Sequence, residues 1–237
     1  MNTVVICAAG NGTRLKQTIP KALVQISKKP MFLWALKTFG DHPAINNILI
    51  LAPKAHIDEF HEHIKNHADA RTQKKIIGIL EGGHERQDSV YKGIAYLHQL
   101  GLDSDSTVLV HNAANIFVSA KEISDIIKNI EQGFASAIAI PSSDTLRELG
   151  EDLVPTRKLD REKIWRMQTP QGASLDILYQ AYSKAKDEGF AATDDVELVE
   201  RMSSPVKMTP GSPLNLKITY PEDLALAESV IAHRKLV

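Results

Sequence analysis

Residues 3–14, TVVICAAGNGTR, decide the fold because an apolar run leads directly into a turn of small residues. Thr3–Ala8 is typical of a strand that is covered on both faces of a parallel sheet. Ala9–Gly12 predicts a tight turn after it, and the cations Arg14 and Lys21 follow. Small residues at a strand end let backbone N–H groups approach a phosphate closely. The stretch therefore predicts a phosphate-binding loop at the edge of an α/β sheet.

Two other interpretations of this loop stay open on the residues alone. The first is the dinucleotide-binding turn of an NAD-dependent oxidoreductase, which needs the pattern G-x-G-x-x-G. Leu15 stands where the third glycine of that pattern belongs, which argues against it. The second is a tight turn that carries two solvated cations and binds nothing.

Apolar runs alternate with helical stretches along most of the chain. The predicted strands are Thr3–Ala8, Asn47–Ala52, Lys75–Leu80, Thr107–His111, Ala135–Ile140 and Asn215–Thr219. The predicted helices are Lys29–Phe39, His56–His67, Asp88–Leu100, Lys121–Gln132, Leu175–Glu188, Thr193–Arg201 and one from Pro221 to about residue 235. This alternation predicts an α/β, Rossmann-like fold of three layers with a mostly parallel sheet. Residues 141–168 break the pattern and predict a protruding arm within a single domain that spans residues 1–237.

The composition excludes several classes of partner. The chain has 237 residues and a formal net charge of −1, so no global positive field attracts nucleic acid or an anionic membrane. No segment approaches the roughly 18 to 20 apolar residues that cross a bilayer. Cys7 is the single cysteine, which rules out an internal disulfide and fits a reducing compartment. We expect a cytoplasmic protein whose polyanionic ligands are held by locally placed cations.

A series of motifs resembles the 2-C-methyl-D-erythritol 4-phosphate cytidylyltransferase family, which includes relatives that act on ribitol 5-phosphate. The first motif is Ala8-Ala9-Gly10-x-Gly12-x-Arg14 followed by Pro20-Lys21. The others are GGHERQDSV (82–90), VHNAA (110–114), DT (144–145), LDR (159–161) with Trp165, QTPQ (168–171), TDD (193–195) and NLKITYPEDL (215–224). The resemblance spans essentially the whole chain, and the motifs together are far more specific than any one alone.

The resemblance implies an enzyme that transfers CMP from CTP to a polyol phosphate and releases pyrophosphate. The implied acceptor is 2-C-methyl-D-erythritol 4-phosphate, of the isoprenoid precursor pathway, and the implied cofactor is Mg²⁺. It also implies a homodimer in which the arm reaches the partner's site. Two alternatives stay open: another polyol phosphate, such as ribitol 5-phosphate or a glycerol phosphate for surface glycans, or a catalytically weak paralogue that binds nucleotide.

The resemblance further assigns roles to residues by their positions in the motifs. The implied catalytic cations are Arg14, Lys21 and Lys217. The implied CTP-binding residues are Ala8, Ala9, Gly10, Gly83, His84, Ser89 and Asn112. The implied acceptor-binding residues are Thr145, Arg161, Thr169 and Thr193, of which Thr145 and Arg161 would act on the partner's acceptor phosphate.

The chain departs from the family at several of these positions. The family usually carries H-D-A-A-R-P where residues 111–116 read HNAANI, so Asn112 replaces an aspartate and Asn115 an arginine. Asn112 can coordinate a metal through its carbonyl oxygen but adds no charge, so Mg²⁺ is expected to rely mostly on the nucleotide phosphates. His84 stands where aspartate is typical. His111, at a predicted strand end, is either a functional or a hydrogen-bonded structural histidine.

Overall fold

A seven-stranded sheet organises the computed structural model, which describes residues 1–10 and 12–234. The strands are β1 (Asn2–Cys7), β2 (Gln25–Ile26), β3 (Lys29–Pro30), β4 (Asn47–Ala52), β5 (Ile76–Glu81), β6 (Thr107–Asn112), β7 (Ala135–Pro141), β8 (Arg147–Leu149), β9 (Pro155–Lys158), β10 (Trp165–Ser174) and β11 (Val206–Pro210). The helices are α1 (Met31–Asp41), α2 (Ile57–His67), α3 (Ala70–Lys75), α4 (Arg86–Gln99), α5 (Ala120–Glu131), α6 (Leu175–Asp187), α7 (Asp195–Glu200) and α8 (Pro221–Arg234).

The strand order in this sheet is β11-β7-β10-β6-β1-β4-β5. β6, β1, β4 and β5 run parallel to one another, and β11 runs parallel to β7. β10 lies between β6 and β7 and is antiparallel to both. The carboxyl ends of the parallel strands therefore meet at one edge, which is where ligands bind in open α/β sheets.

Side chains that alternate along the strands fill two separate cores. Val4 and Ile6 of β1 face the core that α1, α2 and α5 cover. Val5, between them, faces the core on the opposite side, which α4 and α6 cover. Because both faces of β1 are buried, its run of consecutive apolar residues is explained. The three-layer α/β fold with a mostly parallel sheet is confirmed.

Most of the predicted elements are confirmed with ends that shift by one or two residues. β4 has the predicted bounds, and α5, α6 and β7 differ from the prediction by a residue at one or both ends. Two parts of the predictions lie outside the described residues, namely Asn11 in the first turn and the end of the last helix at residue 235. Within the described residues, no helix combines the length and the hydropathy that a membrane span requires.

Three predictions of secondary structure were wrong or incomplete. Asn215–Thr219 is not a strand but an irregular loop, because residues 206–210 fill the edge of the sheet as β11. β10 was not predicted, since its residues 165–168 continued the charged segment and its buried part is made of small and polar residues. The short α3, which is rich in charged residues, was also missed.

The arm predicted for residues 141–168 contains a small antiparallel hairpin. β8 pairs with β9, and every residue of both strands is exposed. A short 3-10 helix, Arg161–Lys163, then leads into β10. The arm therefore starts and ends at the central sheet, because β7 precedes it and β10 follows it.

The irregular loop of residues 211–220 is held in place by Glu122 of α5. One carboxylate oxygen of Glu122 accepts hydrogen bonds from the backbone N–H of Ser119 at 2.7 Å and from its hydroxyl at 2.7 Å. The other oxygen accepts from the backbone N–H of Ser212 at 2.8 Å. Glu122 is buried and thus joins the start of α5 to the loop that carries Lys217.

We expect Glu122→Gln to lower the free energy of unfolding by about 2 kcal/mol, because a neutral amide loses charge-assisted hydrogen bonds and turns a donor toward another donor. Urea denaturation measures the change. Glu131→Gln, at the exposed end of the same helix, is the matched control. Equal losses in the two variants would contradict the role given to Glu122.

Candidate active site

A cavity of about 750 Å³ opens at the edge of the sheet where β1, β4, β5 and β6 end. Its walls come from the loop after β1, the residues that follow β4 and β5, and the end of β6. Its lining residues include Ala8, Ala9, Gly10, Arg14, Lys21, Gly82, Gly83, His84, Arg86, Ser89, Asn112 and Lys217. The predicted phosphate-binding loop thus borders a cavity large enough for a nucleotide.

Glycines after β5 let one wall of this cavity pack closely against its neighbours. A Cβ atom on Gly82 would lie 2.3 Å from the Cβ of Ala9, and one on Gly83 would lie 2.3 Å from the Cβ of Asp88. The backbone N–H of Gly83 donates to the Ser89 hydroxyl at 2.8 Å, and that hydroxyl donates to the carbonyl of Glu85 at 3.0 Å. The strand ends therefore approach one another more closely than any side chain would allow.

Three cations crowd this cavity: Arg14, Lys21 and Lys217. Gly12 has a left-handed backbone with φ of 62°, and a Cβ there would lie 2.5 Å from the Cβ of Lys21, so the loop packs against that lysine. Burial, then the nearby charges of Lys217 and Arg14, lowers the pKa of Lys21 to about 8. Burial and the charges of Arg86 and Arg14 also lower the pKa of Lys217. Positive charge that burial and mutual repulsion destabilise in this way is what a polyanionic ligand would relieve.

Thiol-based chemistry is not available at the end of β1. Cys7 lines the cavity, but burial raises the pKa of its thiol to about 12. The thiolate is the nucleophilic form of cysteine. At neutral pH Cys7 is therefore a packing residue.

A second cavity of about 520 Å³ lies beside the first. Arg86, Asn112 and Lys217 line both cavities. The remaining walls of the second cavity come from β10, the start of α7 and the loop of residues 211–220, and include Thr169 and Thr193. The two cavities therefore meet at a wall that carries two cations.

An ion pair fixes that common wall. The guanidinium of Arg86 donates to both carboxylate oxygens of Asp195, at 2.8 and 2.6 Å. Asp195 is fully buried and also accepts from the hydroxyl of Tyr182. Burial alone would lower the pKa of Arg86, but the charge of Asp195 outweighs it and holds that pKa well above its ordinary value. Arg86 is thus permanently charged and held in one orientation.

Asn112 and Asn115 belong to a neutral network behind the wall. The Nε–H of Arg86 donates to Oδ1 of Asn112 at 3.0 Å, and Nδ2 of Asn112 donates to Oδ1 of Asn115 at 3.3 Å. The backbone N–H of Asn112 donates to the hydroxyl of Thr169 at 3.2 Å. Nδ2 of Asn115 donates to the carbonyl of Asn215 at 3.0 Å. The network ties β6 to β10 and to the loop that bears Lys217.

The residues around Asn112 do not fit a metal ion held by the protein. The carbonyl oxygen of Asn112, its only side-chain ligand atom, already accepts from a guanidinium, and a cation there would face Arg86. Both carboxylate oxygens of the neighbouring Asp195 already accept from Arg86. Across the part of the chain that the structure describes, no group of three or more His, Cys, Asp or Glu side chains is arranged to hold a metal ion.

His111 is a structural histidine. It is fully buried, its Nε2 lies 2.9 Å from the carbonyl oxygen of Asn115, and its Nδ1 lies 3.2 Å from the hydroxyl of Thr169. Burial lowers the pKa of His111 to about 3, so the ring is neutral. A neutral ring that must donate to a carbonyl through Nε2 is left with Nδ1 as an acceptor. The alternative left open by the sequence is therefore decided by the hydrogen bonds.

The structure brings most of the residues singled out in the sequence to these two cavities. The first cavity gathers Ala8, Ala9, Gly10, Arg14, Lys21, Gly83, His84, Ser89, Asn112 and Lys217, and the second gathers Thr169 and Thr193. The hydroxyl of Thr193 donates to Glu197 at 2.9 Å, and the side chain of His84 is 93% exposed. Thr145 and Arg161 are exposed on the arm and line neither cavity of their own chain.

Sequence reasoning gave no role to Arg86 or Asp195. Both stand in motifs that were noticed, GGHERQDSV and TDD, but 109 residues separate them. Nothing in a single sequence pairs one charge among many with a carboxylate so distant. The only signal was that each residue stands within one of the motifs of the resemblance.

The comparisons with known proteins agree with this geometry. The profile of the family described as IspD, 2-C-methyl-D-erythritol 4-phosphate cytidylyltransferase, matches residues 2–233. The chain belongs to this family. A 2-C-methyl-D-erythritol 4-phosphate cytidylyltransferase of Halalkalibacterium halodurans is 36% identical over 234 residues, which are 98% of this chain and 98% of that protein. A relative of the same name from Syntrophus aciditrophicus is 35% identical over 96% of this chain and 94% of its own.

Solved structures of the family share the fold. The 2-C-methyl-D-erythritol 4-phosphate cytidylyltransferase of Thermus thermophilus superimposes with a TM-score of 0.75 at 29% identity, over 98% of this chain and 100% of that one. A 4-diphosphocytidyl-2C-methyl-D-erythritol synthase of Anaerococcus prevotii gives a TM-score of 0.83 at 24% identity, over 98% of this chain and 96% of that one. The prediction of a cytidylyltransferase enzyme is confirmed at the level of the family.

We expect Gly82→Ala to weaken CTP binding at least tenfold, about 1.4 kcal/mol, because the added methyl group would overlap Ala9 and narrow the first cavity. Calorimetric titration with CTP measures the affinity. Gly78→Ala, on β5, is the control, since its Cβ would make only ordinary contacts, the nearest at 3.5 Å. Unchanged CTP affinity in the folded Gly82 variant would contradict the assignment of the cavity.

We expect CTP binding to take up protons near pH 8. The pKa of Lys21 is about 8 in the free protein, and a bound triphosphate would raise it, so the affinity falls as the pH rises through 8. Titrations at pH 8 in two buffers of different ionisation enthalpy count the protons. Lys21→Gln should take up fewer protons, and equal uptake by the two proteins would show that Lys21 does not meet the ligand.

Proposed function

We propose that this protein transfers CMP from CTP to 2-C-methyl-D-erythritol 4-phosphate and releases pyrophosphate. The observation that carries the proposal is the wall shared by the two cavities, which Arg86, Asn112 and Lys217 line from both sides. A reaction that joins two phosphorylated molecules needs two adjoining sites with positive charge at their junction. Membership of the family supplies the identity of the two substrates.

CTP would occupy the first cavity. The backbone around Ala8, Ala9 and Gly10 faces the triphosphate, and Gly83, His84 and Ser89 border the cytosine and ribose. The glycines after β5 hold this wall in place, because they let the loop pack directly against Ala9 and Asp88. Arg14 would lie nearer the leaving pyrophosphate, with Lys21 and Lys217 flanking the α-phosphoryl group.

The chemistry requires positioning and charge rather than a protein nucleophile. A phosphate oxygen of the acceptor attacks the α-phosphorus of CTP, and pyrophosphate leaves from the opposite side. The nucleophile is already an anion, so the barrier lies in bringing two anions together and in the charge that builds on the α-phosphoryl oxygens. Lys21 and Lys217 offset this repulsion at neutral pH, since a pKa of about 8 still leaves Lys21 mostly protonated.

A divalent cation, Mg²⁺, would enter with the triphosphate and be held by its phosphate oxygens. This follows from the poor fit of Asn112, whose carbonyl oxygen accepts from Arg86. Hard cations prefer charged oxygen ligands, and the nucleotide carries several. The chain's own residues would then bind the nucleotide and not the metal.

The functional unit would be a cytoplasmic homodimer of single-domain chains that exchange arms. The arm exposes large apolar side chains, with Leu153 77% and Val154 60% exposed. Such side chains favour burial against another surface. In the dimer, Thr145 and Arg161 would reach the acceptor phosphate in the partner's second cavity, where Thr169 and Thr193 also line the wall.

A panel of polyol phosphates, each assayed with the four nucleoside triphosphates for pyrophosphate release, tests the function. We expect turnover with CTP and 2-C-methyl-D-erythritol 4-phosphate. Turnover only with ribitol 5-phosphate or glycerol 3-phosphate would show that the acceptor is that polyol phosphate instead. CTP binding without any turnover would show that the protein is a nucleotide-binding paralogue.

Lys217→Gln is expected to lower kcat with the best acceptor at least a hundredfold, about 2.7 kcal/mol of barrier, because the junction of the cavities loses a charge that acts on the reacting phosphate. Lys74→Gln, an exposed lysine on α3, is the matched control. A kcat for the Lys217 variant within threefold of the control would show that Lys217 takes no part in the reaction.

A further inference from the structure

Two buried oxygen atoms beside the second cavity have no hydrogen-bond partner within the described residues. They are Oε1 of Gln168 and Oδ1 of Asn215, and both residues line that cavity. The amide nitrogen of Gln168 donates to the carbonyl of Ser212 at 2.9 Å, and that of Asn215 donates to the carbonyl of Thr169 at 2.9 Å. Each amide is thereby oriented, and a reversed amide would set two oxygens against each other.

A buried acceptor that stays unpaired is costly and points to a missing donor. Both orphan atoms are acceptors, so the missing group donates hydrogen bonds. The hydroxyl groups of a polyol are donors of that kind. Gly211 packs closely against this oxygen of Gln168, because a Cβ on residue 211 would lie 2.4 Å from it.

The second cavity also contains one uncommitted positive charge. Of the cations that line it, Arg86 is paired with Asp195, and Lys217 is shared with the first cavity. Arg166, on β10, lines the second cavity but not the first. It is exposed and has no carboxylate partner among the described residues. Asp194 lines the same cavity, but its two oxygens accept from the backbone of Glu197 at 3.0 Å and from Gln171 at 3.2 Å.

Asn115, where the family usually has an arginine, cannot act as a substitute anchor. It is 2% exposed, and its amide nitrogen donates to the carbonyl of Asn215 while its oxygen accepts from the amide nitrogen of Asn112. Apart from Arg86 and Lys217, which line both cavities, a cation that meets the acceptor from this chain must therefore come from a different element. β10, which brings both Arg166 and Gln168 to the cavity, is that element.

We propose that Arg166 and Gln168 are specificity-determining residues for the acceptor: Arg166 binds its negative charge, and the free oxygen of Gln168 accepts from one of its hydroxyl groups. This inference rests on the proposed transfer to a polyol phosphate and names the residues that select the acceptor. A guanidinium suits a phosphate because its N–H groups can bind two oxygens at once. The two residues lie two positions apart on β10, as adjoining contacts to one small molecule require.

The test compares Arg166→Gln and Arg166→Lys with the wild-type protein. We expect Arg166→Gln to raise the KM for the acceptor at least tenfold and to leave the dissociation constant for CTP within twofold. Arg166→Lys should recover part of the loss, since it restores the charge without the planar fork. Arg71→Gln, an exposed arginine on α3, is the matched control and should change neither constant.

Gln168→Leu tests the hydroxyl contact separately. We expect it to reduce, at least threefold, the ratio of kcat/KM for 2-C-methyl-D-erythritol 4-phosphate to that for glycerol 3-phosphate, which offers fewer hydroxyl groups. Thermal melting identifies a variant that fails to fold, in which case Gln168→Met replaces it. An unchanged ratio in a folded variant overturns the role of Gln168.

Failure of this inference is distinguishable from failure of the proposed function. Turnover by the wild-type protein decides the function, whereas only the difference between variant and wild type decides the role of Arg166. If no acceptor is turned over, titration of each polyol phosphate into protein saturated with CMP replaces the kinetic assay. An acceptor KM or dissociation constant for Arg166→Gln within twofold of wild type, or an equal loss of CTP affinity, overturns the inference.

Discussion

The ion pair between Arg86 and the buried Asp195 is the contact on which the arrangement of both cavities depends. It joins the first turn of α4 to the first residue of α7, across 109 positions of sequence. Removing two charges from water is expensive, and such a pair is stable only where hydrogen bonds satisfy the remaining atoms. Tyr182 and Asn112 do this here, on the carboxylate and guanidinium sides respectively. The pair thus gives the common wall a fixed cation without leaving an unbalanced buried charge.

The rest of the positive charge is placed in the opposite way. Arg14, Lys21 and Lys217 lie close together and form no ion pair with a carboxylate among the described residues, and burial together with nearby positive charge lowers the pKa of both lysines. A protein of net charge −1 can hold a polyanion only through such local concentration. The free protein stores this repulsion, and a bound triphosphate releases it. Arg86, which is paired with Asp195, sets the geometry of the wall between the cavities. The three unpaired cations would supply the affinity for the triphosphate.

Local patterns predicted the layers of the fold and the phosphate-binding loop after β1, whereas the other predicted residues of the first cavity came from the resemblance to the family. Runs such as Asn47–Ala52 have a length and an apolar character that only a buried strand explains, and the turn after β1 must lie at the edge of the sheet. β10 escaped prediction because Gly172 and Ala173 carry no strand pattern, and its neighbours β6 and β7 were needed to identify it. The resemblance named Thr169 and Thr193 of the second cavity, but Arg166 and Gln168 were not predicted, since β10, α7 and the loop of residues 211–220 meet only in three dimensions.

The departures from the family at positions 112 and 115 are best understood as one change. An aspartate and an arginine are both replaced by asparagine, so the exchange leaves the net charge of the wall unaltered. The two amides bond to each other at 3.3 Å, and Arg86 and Asn215 occupy their remaining groups. The neutral network therefore keeps the connection between β6 and the loop of Lys217, while the charge that meets the acceptor is left to other elements.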